Sequence, residues 1–314
     1  MPLNELLPKA VRLYPHREAV VCGAVRMSYQ EFGDRVGKLC HGLSALGLQR
    51  KDRLAILHQN CHVFLETYFA AASMGLILVP LNYRLSSKEL AAIIADSGSS
   101  VLIAQETFRE KAETLPAKVP GLDKIIWSQQ APGRTLREKE YDYEDLLASQ
   151  EQKPAANLFL QDDEVAHLYY TSGTTGRPKG VMLTHKNVKS HALGTIAELQ
   201  LTDKDHWFHV APLFHLADAW ATFAITWVGG KHVLVPAFDP PTVLRLIQEE
   251  KITLTNLIPT MLNMMVNHAD VGRFDYSSLR VLLSGGAPIA PEVVRRIIDT
   301  FQCDYVQTYG MTET

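Results

Sequence analysis

From Ser28 to Asn82 the hydrophobic period switches repeatedly between helix and strand, and this alternation limits the fold more than any other feature. "SYQEFGDRVGKLCHGLSALG" opens with Ser28 and Glu31 in the spacing of a capping box. It then sets Phe32, Val36, Leu39, Leu43 and Leu46 three or four residues apart, which predicts a helix stopping at Gly47. "RLAILH" reads as a strand, "CHVFLETYFAAASMG" as a helix and "LILVPLN" as a second buried strand. A further capping box, Ser86 to Glu89, starts the next helix. The alternation returns in the second half: "TLTNLI" before "PTMLNMMVNH", "LRVLLSGG" before "APEVVRRIIDTF", and "DYVQTYG" last. Short apolar strands alternating with helices predict an α/β fold of layered, largely parallel sheets flanked by helices. No internal repeat is apparent. The stretch from Pro116 to Lys153 has weak strand and helix signals and reads either as a surface connection between two halves or as a decorated loop in one domain.

Composition removes several classes of function. The 314 residues are 46% hydrophobic and 21% charged, with 31 Lys and Arg against 34 Asp and Glu, so no basic footprint for nucleic acid is present. Small-molecule partners are expected instead. Cys22, Cys40, Cys61 and Cys303 lie far apart with no CxxC pair, which argues against a disulfide framework or zinc knuckle and fits a reducing cytoplasm. The N-terminal stretch mixes charges and prolines into its apolar positions, unlike a signal peptide or a membrane span. "LADAWATFAITWVGG" is interrupted by Asp218 and too short to cross a bilayer, so a buried helix is expected there.

The most distinctive string is "YYTSGTTGRPKGVMLTH", Tyr169 to His185. "VAHLYYT" before it has strand content and "GVMLTH" after it resembles a second strand, so the polar segment joins two strands. Gly173, Gly176 and Gly180 permit close approach of backbone N–H groups, while Thr171, Ser172, Thr174 and Thr175 supply hydroxyl donors. Such a surface suits phosphate oxygens, and Lys179 adds a mobile positive charge. A Walker loop does not fit, because Pro178 stands where its second glycine belongs and Gly180 follows the lysine. A polar turn that binds nothing is the competing reading. In "HWFHVAPLFHLAD", His206 and His209 would face opposite sides of a strand and could not chelate one metal together.

The full string "YYTSGTTGRPKG" resembles the signature of the adenylate-forming (AMP-binding) superfamily, and three more matches follow in that family's order. "APLFH" (Ala211 to His215) resembles its aromatic segment beside the acyl pocket, "LLSGGAP" (Leu282 to Pro288) its adenine-lining turn, and "YGMTET" (Tyr309 to Thr314) its magnesium and adenine motif. Upstream, "YPHREAV", "SYQEF" and "MGLILVPLN" extend the likeness over essentially the whole chain.

The resemblance implies an acyl-CoA synthetase that activates a carboxylic acid, fatty or aryl, with ATP and Mg2+ and then transfers the acyl group to CoA. It implies phosphate contacts from Thr171, Ser172, Gly173, Thr174, Thr175 and Gly176, with Lys179 following the pyrophosphate. Adenine and nucleotide contacts fall to Gly285, Gly286, Ala287, Gln307, Tyr309, Gly310 and Thr312. Glu313 and the hydroxyl of Thr171 are the implied metal contacts, and Thr171, Lys179 and Glu313 the catalytic set. His215 and Trp220 are assigned to the acyl pocket, and Trp220, Phe223 and Trp227 could line an acyl tunnel or simply pack a helix.

The likeness also implies an incomplete N-terminal AMP-binding domain. Residues 50–200 are expected to form one sheet layer, and residues 1–50 with 201–314 the second. The family's ribose-binding aspartate segment and its C-terminal lysine-bearing domain do not occur within these residues, so residues 1–314 alone are expected to be inactive or impaired. Self-association is compatible with this reading. A non-catalytic nucleotide-binding module and an amino-acid adenylation domain stay open as alternatives; the latter expects a pocket aspartate for the α-amino group, and Asp218 cannot be assigned that role from the sequence.

Overall fold

Fourteen strands form in chain order: β1 Glu18–Cys22, β2 Val25–Ser28, β3 Arg53–Leu57, β4 Ile77–Pro80, β5 Val101–Gln105, β6 Lys124–Ser128, β7 Glu140–Asp142, β8 Val165–Thr171, β9 Lys179–Thr184, β10 His206–His209, β11 Lys231–Leu234, β12 Leu254–Leu257, β13 Val281–Ser284 and β14 Asp304–Gln307. The computed structural model describes residues 1–130, 133–151, 158–171 and 178–313. The strands make two seven-stranded sheets, ordered β14-β13-β12-β10-β11-β1-β2 and β7-β6-β5-β3-β4-β8-β9. All neighbours are parallel except β1 with β2 and β8 with β9. The layered, largely parallel α/β architecture expected from the alternating periods is the one observed.

Parallel strands need both faces covered, and successive side chains here serve different cores. In β10, Trp207 faces the central core while Phe208 faces the outer one. In β3, Leu54 and Ile56 join that same central core, and Ala55 and Leu57 join the outer core of their own sheet. The helices Tyr29–Ala45, His62–Met74 and Leu216–Val228 contribute Phe32, Phe69 and Phe223 to the central layer. The result is two sheets separated by a shared helical layer and covered outside by further helices.

Both capping boxes form. Ser28 accepts from the Glu31 backbone and Ser86 from that of Glu89, with each glutamate returning to its cap residue. A third, from Thr184 to Asn187, starts the helix His185–Glu198 directly after β9.

The segment from Pro116 to Lys153 is a correction to the sequence reading, since it is more than a surface connection. It supplies β6 and β7, with Ile125, Ile126 and Trp127 buried, and the helix Tyr143–Ala148. The Tyr143 hydroxyl donates to Glu66 at 2.5 Å, and Arg35 holds the same fully buried carboxylate at 2.6 Å. The apolar run in β6 is too short, and its surroundings too polar, to show a clear period.

Three histidines sealed in the interior give the fold a pH signature. Burial lowers His58 to about 4 and His167 to about 3, and it drives His232 well below the ordinary 6.5, with His209 adding repulsion. The folded value lies below the unfolded one in each case, so between them the unfolded chain binds more protons. Stability is therefore full above about pH 6.5 and falls as pH drops towards 4, by up to about 1.4 kcal/mol per pH unit for each histidine. Urea unfolding at pH 7 and pH 5 checks this: proton uptake on unfolding at pH 5 is expected, and equal stability at the two values would contradict it.

Candidate functional site

The hairpin of β8 and β9 organises the site. Thr171 ends β8 directly opposite Lys179 at the start of β9, the two residues that flank the core of the glycine- and threonine-rich string in sequence. Ser172, Gly173, Thr174, Thr175 and Gly176 lie outside the described residues. Lys179 is exposed.

Below the tip, the sides of this hairpin wall a cavity of about 220 Å³. His167 and Tyr169 enter from β8, and Val181 and Leu183 from β9. Asn187, Val188 and His191 come from the helix His185–Glu198, and Leu216, Ala219, Trp220 and Phe223 from Leu216–Val228. Thr312 and Glu313 also line it. An aromatic and aliphatic lining with a few polar groups and a carboxylate at its edge is the chemistry of a small-molecule pocket.

Two parallel strands form a second wall. The Gly285–Gly286–Ala287 turn leaves β13 beside the end of β14, where Gln307 pairs with Ser284 and Thr308 donates from its backbone to Ser284 at 2.7 Å. A Cβ on Gly285 would lie 2.2 Å from Thr308 Oγ1, so the close approach of these segments requires glycine. Gly286 has φ +78°, the left-handed region that glycine takes without strain. Gly286, Ala287, Gln307, Tyr309 and Gly310 are exposed, and the Tyr309 ring is 97% accessible. The open surface lies outside the carboxyl ends of parallel strands, where ligands of open α/β sheets bind.

Comparison with known proteins agrees with this geometry. Residues 7–314 match the family model described as AMP-binding enzyme. The chain belongs to the AMP-binding enzyme family. A feruloyl-CoA synthase of an Amycolatopsis species is 39% identical over 97% of the chain and 58% of its own length. A long-chain-fatty-acid–CoA ligase of Mycobacterium tuberculosis is 30% identical over 92% of the chain and 56% of its own. The crystal structure of the N-terminal domain of FACL13 from the same species superposes with TM-score 0.89 at 26% identity, covering 100% of this chain and 76% of that one. The chain thus spans a little over half the length of the curated relatives it matches.

Within this AMP-binding chain some expected residues converge and others do not. Thr171, Lys179, Thr312, Glu313 and Trp220 gather around the hairpin and its cavity. His215 is absent from the described cavity wall: it caps the helix Leu216–Val228 in extended backbone, exposed, with its ring 4.4 Å from that of Phe214. Trp227 is also absent. It lies on the same helix face as Trp220 but two turns on, roughly 10 Å along the axis, beyond the end of the pocket.

Asp218, which the sequence presented as an interruption of an apolar run and as a pocket aspartate it could not assign, is the centre of a buried network. Its carboxylate accepts from Trp207 Nε1 at 2.9 Å and pairs with His209 Nδ1 at 2.8 Å. His209 Nε2 meets His232 Nδ1 at 3.0 Å, and His232 Nε2 meets the Thr226 hydroxyl at 2.9 Å. A carboxylate only accepts, so His209 Nδ1 donates to Asp218. Trp207 packs edge-on against Trp220, 4.9 Å between centroids, so the network backs the cavity wall. Trp207 and His209 share a strand face by their two-residue spacing, the one cue in the sequence to this array.

Magnesium, which the family implies, suits these donors. Among the described residues no group of three or more His, Cys, Asp or Glu could hold a metal ion. Mg2+ does not need such a cage, because it keeps waters and takes phosphate oxygens together with one or two protein oxygens. Glu313, on the cavity wall, and the Thr171 hydroxyl, at the end of β8, are oxygen donors of that hard type.

Proposed function

We propose that this AMP-binding chain is the larger part of an acid–thiol ligase, which joins a fatty or aryl carboxylic acid to ATP as an acyl adenylate and then passes the acyl group to CoA. One observation supports this most: the hairpin whose two strands are joined in sequence by the phosphate-type string has an apolar cavity along its sides, with Glu313 among the residues that line it. An acid seated in the cavity would present its carboxylate where the α-phosphate of ATP arrives.

The acid's oxygen attacks the α-phosphorus, the bond to the β-phosphate oxygen breaks, and pyrophosphate leaves with that electron pair. Two anions must approach, so positive charge and oriented donors lower the barrier. Lys179 at the hairpin tip stabilises the departing pyrophosphate, and the Thr171 hydroxyl and Glu313 would hold Mg2+, which when bound neutralises phosphate charge. Tyr309 stacks on the adenine, beside the flat Gly285–Gly286–Ala287 turn, with Gln307, Gly310 and Thr312 around the nucleotide. His215, exposed at the helix start, is a contact to the acyl adenylate rather than to the acid's body.

The printed activities of the two relatives, feruloyl-CoA synthase and long-chain-fatty-acid–CoA ligase, support the ligase reading and both substrate classes. An amino-acid substrate is disfavoured, because both Asp218 oxygens are already engaged and Asp218 is not on the described cavity wall. No helix among the described residues is long and apolar enough to cross a membrane, in keeping with a cytoplasmic enzyme.

The test is pyrophosphate release from ATP and Mg2+ with a panel of fatty and aromatic acids. It is run on residues 1–314 and on the chain extended to the full length of its relatives. Release that depends on the acid, and is much faster in the extended form, is expected. Nucleotide binding with no acid-dependent release in either form would overturn the ligase reading in favour of a binding module.

A further inference from the structure

The ligase reading draws on both sheets at once. The β8–β9 hairpin belongs to one sheet, whereas β10 belongs to the other and leads through Ala211–His215 into the helix Leu216–Val228. The acid and the nucleotide react only if these two parts keep a fixed offset, and the apolar packing between them is non-directional. Hydrogen bonds, which have strict geometry, can set that offset.

Asn60 supplies three of them. It follows β3, a strand of the hairpin's sheet, stands just before the helix His62–Met74, and is 2% accessible to solvent. Its Nδ2 donates to the His209 carbonyl at 3.2 Å and to the Ala211 carbonyl at 2.8 Å, and its Oδ1 accepts from the Leu213 N–H at 2.8 Å. A carbonyl only accepts and a backbone N–H only donates, so the amide has one orientation. One side chain thus pins the end of β10 and the start of the segment that carries His215. Ala211–His215 forms neither helix nor strand, so its backbone groups need partners of this kind.

Tyr68, on the helix that Asn60 precedes, adds a fourth bond. Its hydroxyl donates to the Leu213 carbonyl at 2.9 Å, so the 2.6 Å bond between Tyr68 and Tyr169 is donated by Tyr169. Tyr169 lies on β8, two residues before Thr171. Leu213 is therefore held at both its N–H and its carbonyl, and Tyr68 ties it to the hairpin. Both tyrosines are buried, where hydrogen bonds are stronger than in water.

Resting on the ligase reading above, we propose that Asn60 and Tyr68 are positioning residues for the reaction, which fix Ala211–His215 on the acyl side of the site against the β8–β9 hairpin on its phosphate side. Neither is on the described cavity wall. They act through the Leu213 backbone and Tyr169. A displacement of about 1 Å between reacting groups costs on the order of 10²-fold in rate. A ligand that spans both sides feels the same displacement, while one that occupies a single side does not.

The experiment is calorimetric titration of AMP, and separately of feruloyl- and hexadecanoyl-sulfamoyl adenosine, into residues 1–314, native or carrying Tyr68→Phe, Asn60→Ala or Thr67→Val. Tyr68→Phe keeps the ring and removes one oxygen. Thr67→Val is the control, since the Thr67 hydroxyl is equally buried but donates to the Val63 carbonyl of its own helix, at 2.7 Å. In Tyr68→Phe and Asn60→Ala the tighter-binding analogue is expected to weaken by about tenfold or more, while AMP affinity stays within about twofold. In Thr67→Val neither affinity changes. A purely structural defect lowers the folded fraction, and with it the binding stoichiometry, but leaves both dissociation constants alone. If Asn60→Ala does not fold, Tyr68→Phe alone decides. Analogue affinity retained in Tyr68→Phe overturns the proposal, as does a parallel loss of AMP affinity, or an analogue that binds the native chain no tighter than AMP. The ligase reading fails on a different observation, the absence of acid-dependent pyrophosphate release from the unaltered extended chain.

Discussion

Replacing Glu313 with alanine is expected to slow acid-dependent pyrophosphate release by about 10²-fold or more, with thermal stability almost unchanged. Removing one well-placed electrostatic contact from the transition state of such a reaction typically costs that much in rate. Glu313 is exposed at the edge of the cavity, and exposed surface changes usually stay within about 0.5 kcal/mol of the parent. Initial rates in the extended chain, across a range of Mg2+ concentrations, check the assignment. A variant within a few-fold of the parent rate at every concentration would remove Glu313 from the metal site.

The second large effect concerns stability. Asp218→Ala is expected to destabilise the chain by about 2–6 kcal/mol, since it strands the buried donors of Trp207 and His209, each at a cost of about 1–3 kcal/mol. Asp218→Asn can still accept from one of the two and should cost less. Urea unfolding followed by tryptophan fluorescence measures both, with Trp207 close to the lesion. A loss below about 1 kcal/mol for the alanine variant would mean that water or rearrangement satisfies the donors, and that the network does not hold the wall behind Trp220.

Those two residues also mark what was legible in the sequence. Glu313 stood in an ordered string, "YGMTET", which pointed to a nucleotide site only together with the motifs that precede it in the chain. Asp218 could not, because its partners His209 and Trp207 come from a neighbouring strand and only the fold brings them together. The helix Tyr29–Ala45 of the central layer was readable because it has a clear period and a cap, Ser28 with Glu31. β6 and β7 were missed because three to five residues carry too little periodicity, and the anchor of that region, Tyr143 on Glu66, is a contact between residues far apart in sequence.

The cavity wall shows the same division. Trp220 and Phe223 were marked by their helical spacing, whereas His167 and Tyr169 looked like ordinary strand residues. Their two-residue spacing places them on one face of β8, but which face meets the cavity depends on the pairing with β9 and on the helix Leu216–Val228. His215 is the converse case, a motif residue exposed at the start of the helix Leu216–Val228 and absent from the lining of the described pocket.

The central claim is that one place in this chain receives both the nucleotide, at the hairpin tip and the β13–β14 turn, and the acid, in the cavity below. A non-hydrolysable acyl-sulfamoyl adenosine, which joins the two ligands through a sulfamate in place of the acyl phosphate, tests this directly by titration into residues 1–314. Binding at least about 10²-fold tighter than either AMP or the free acid is predicted, as for analogues that unite both reacting parts. Affinity no better than that of AMP alone would contradict the claim and place the acid elsewhere.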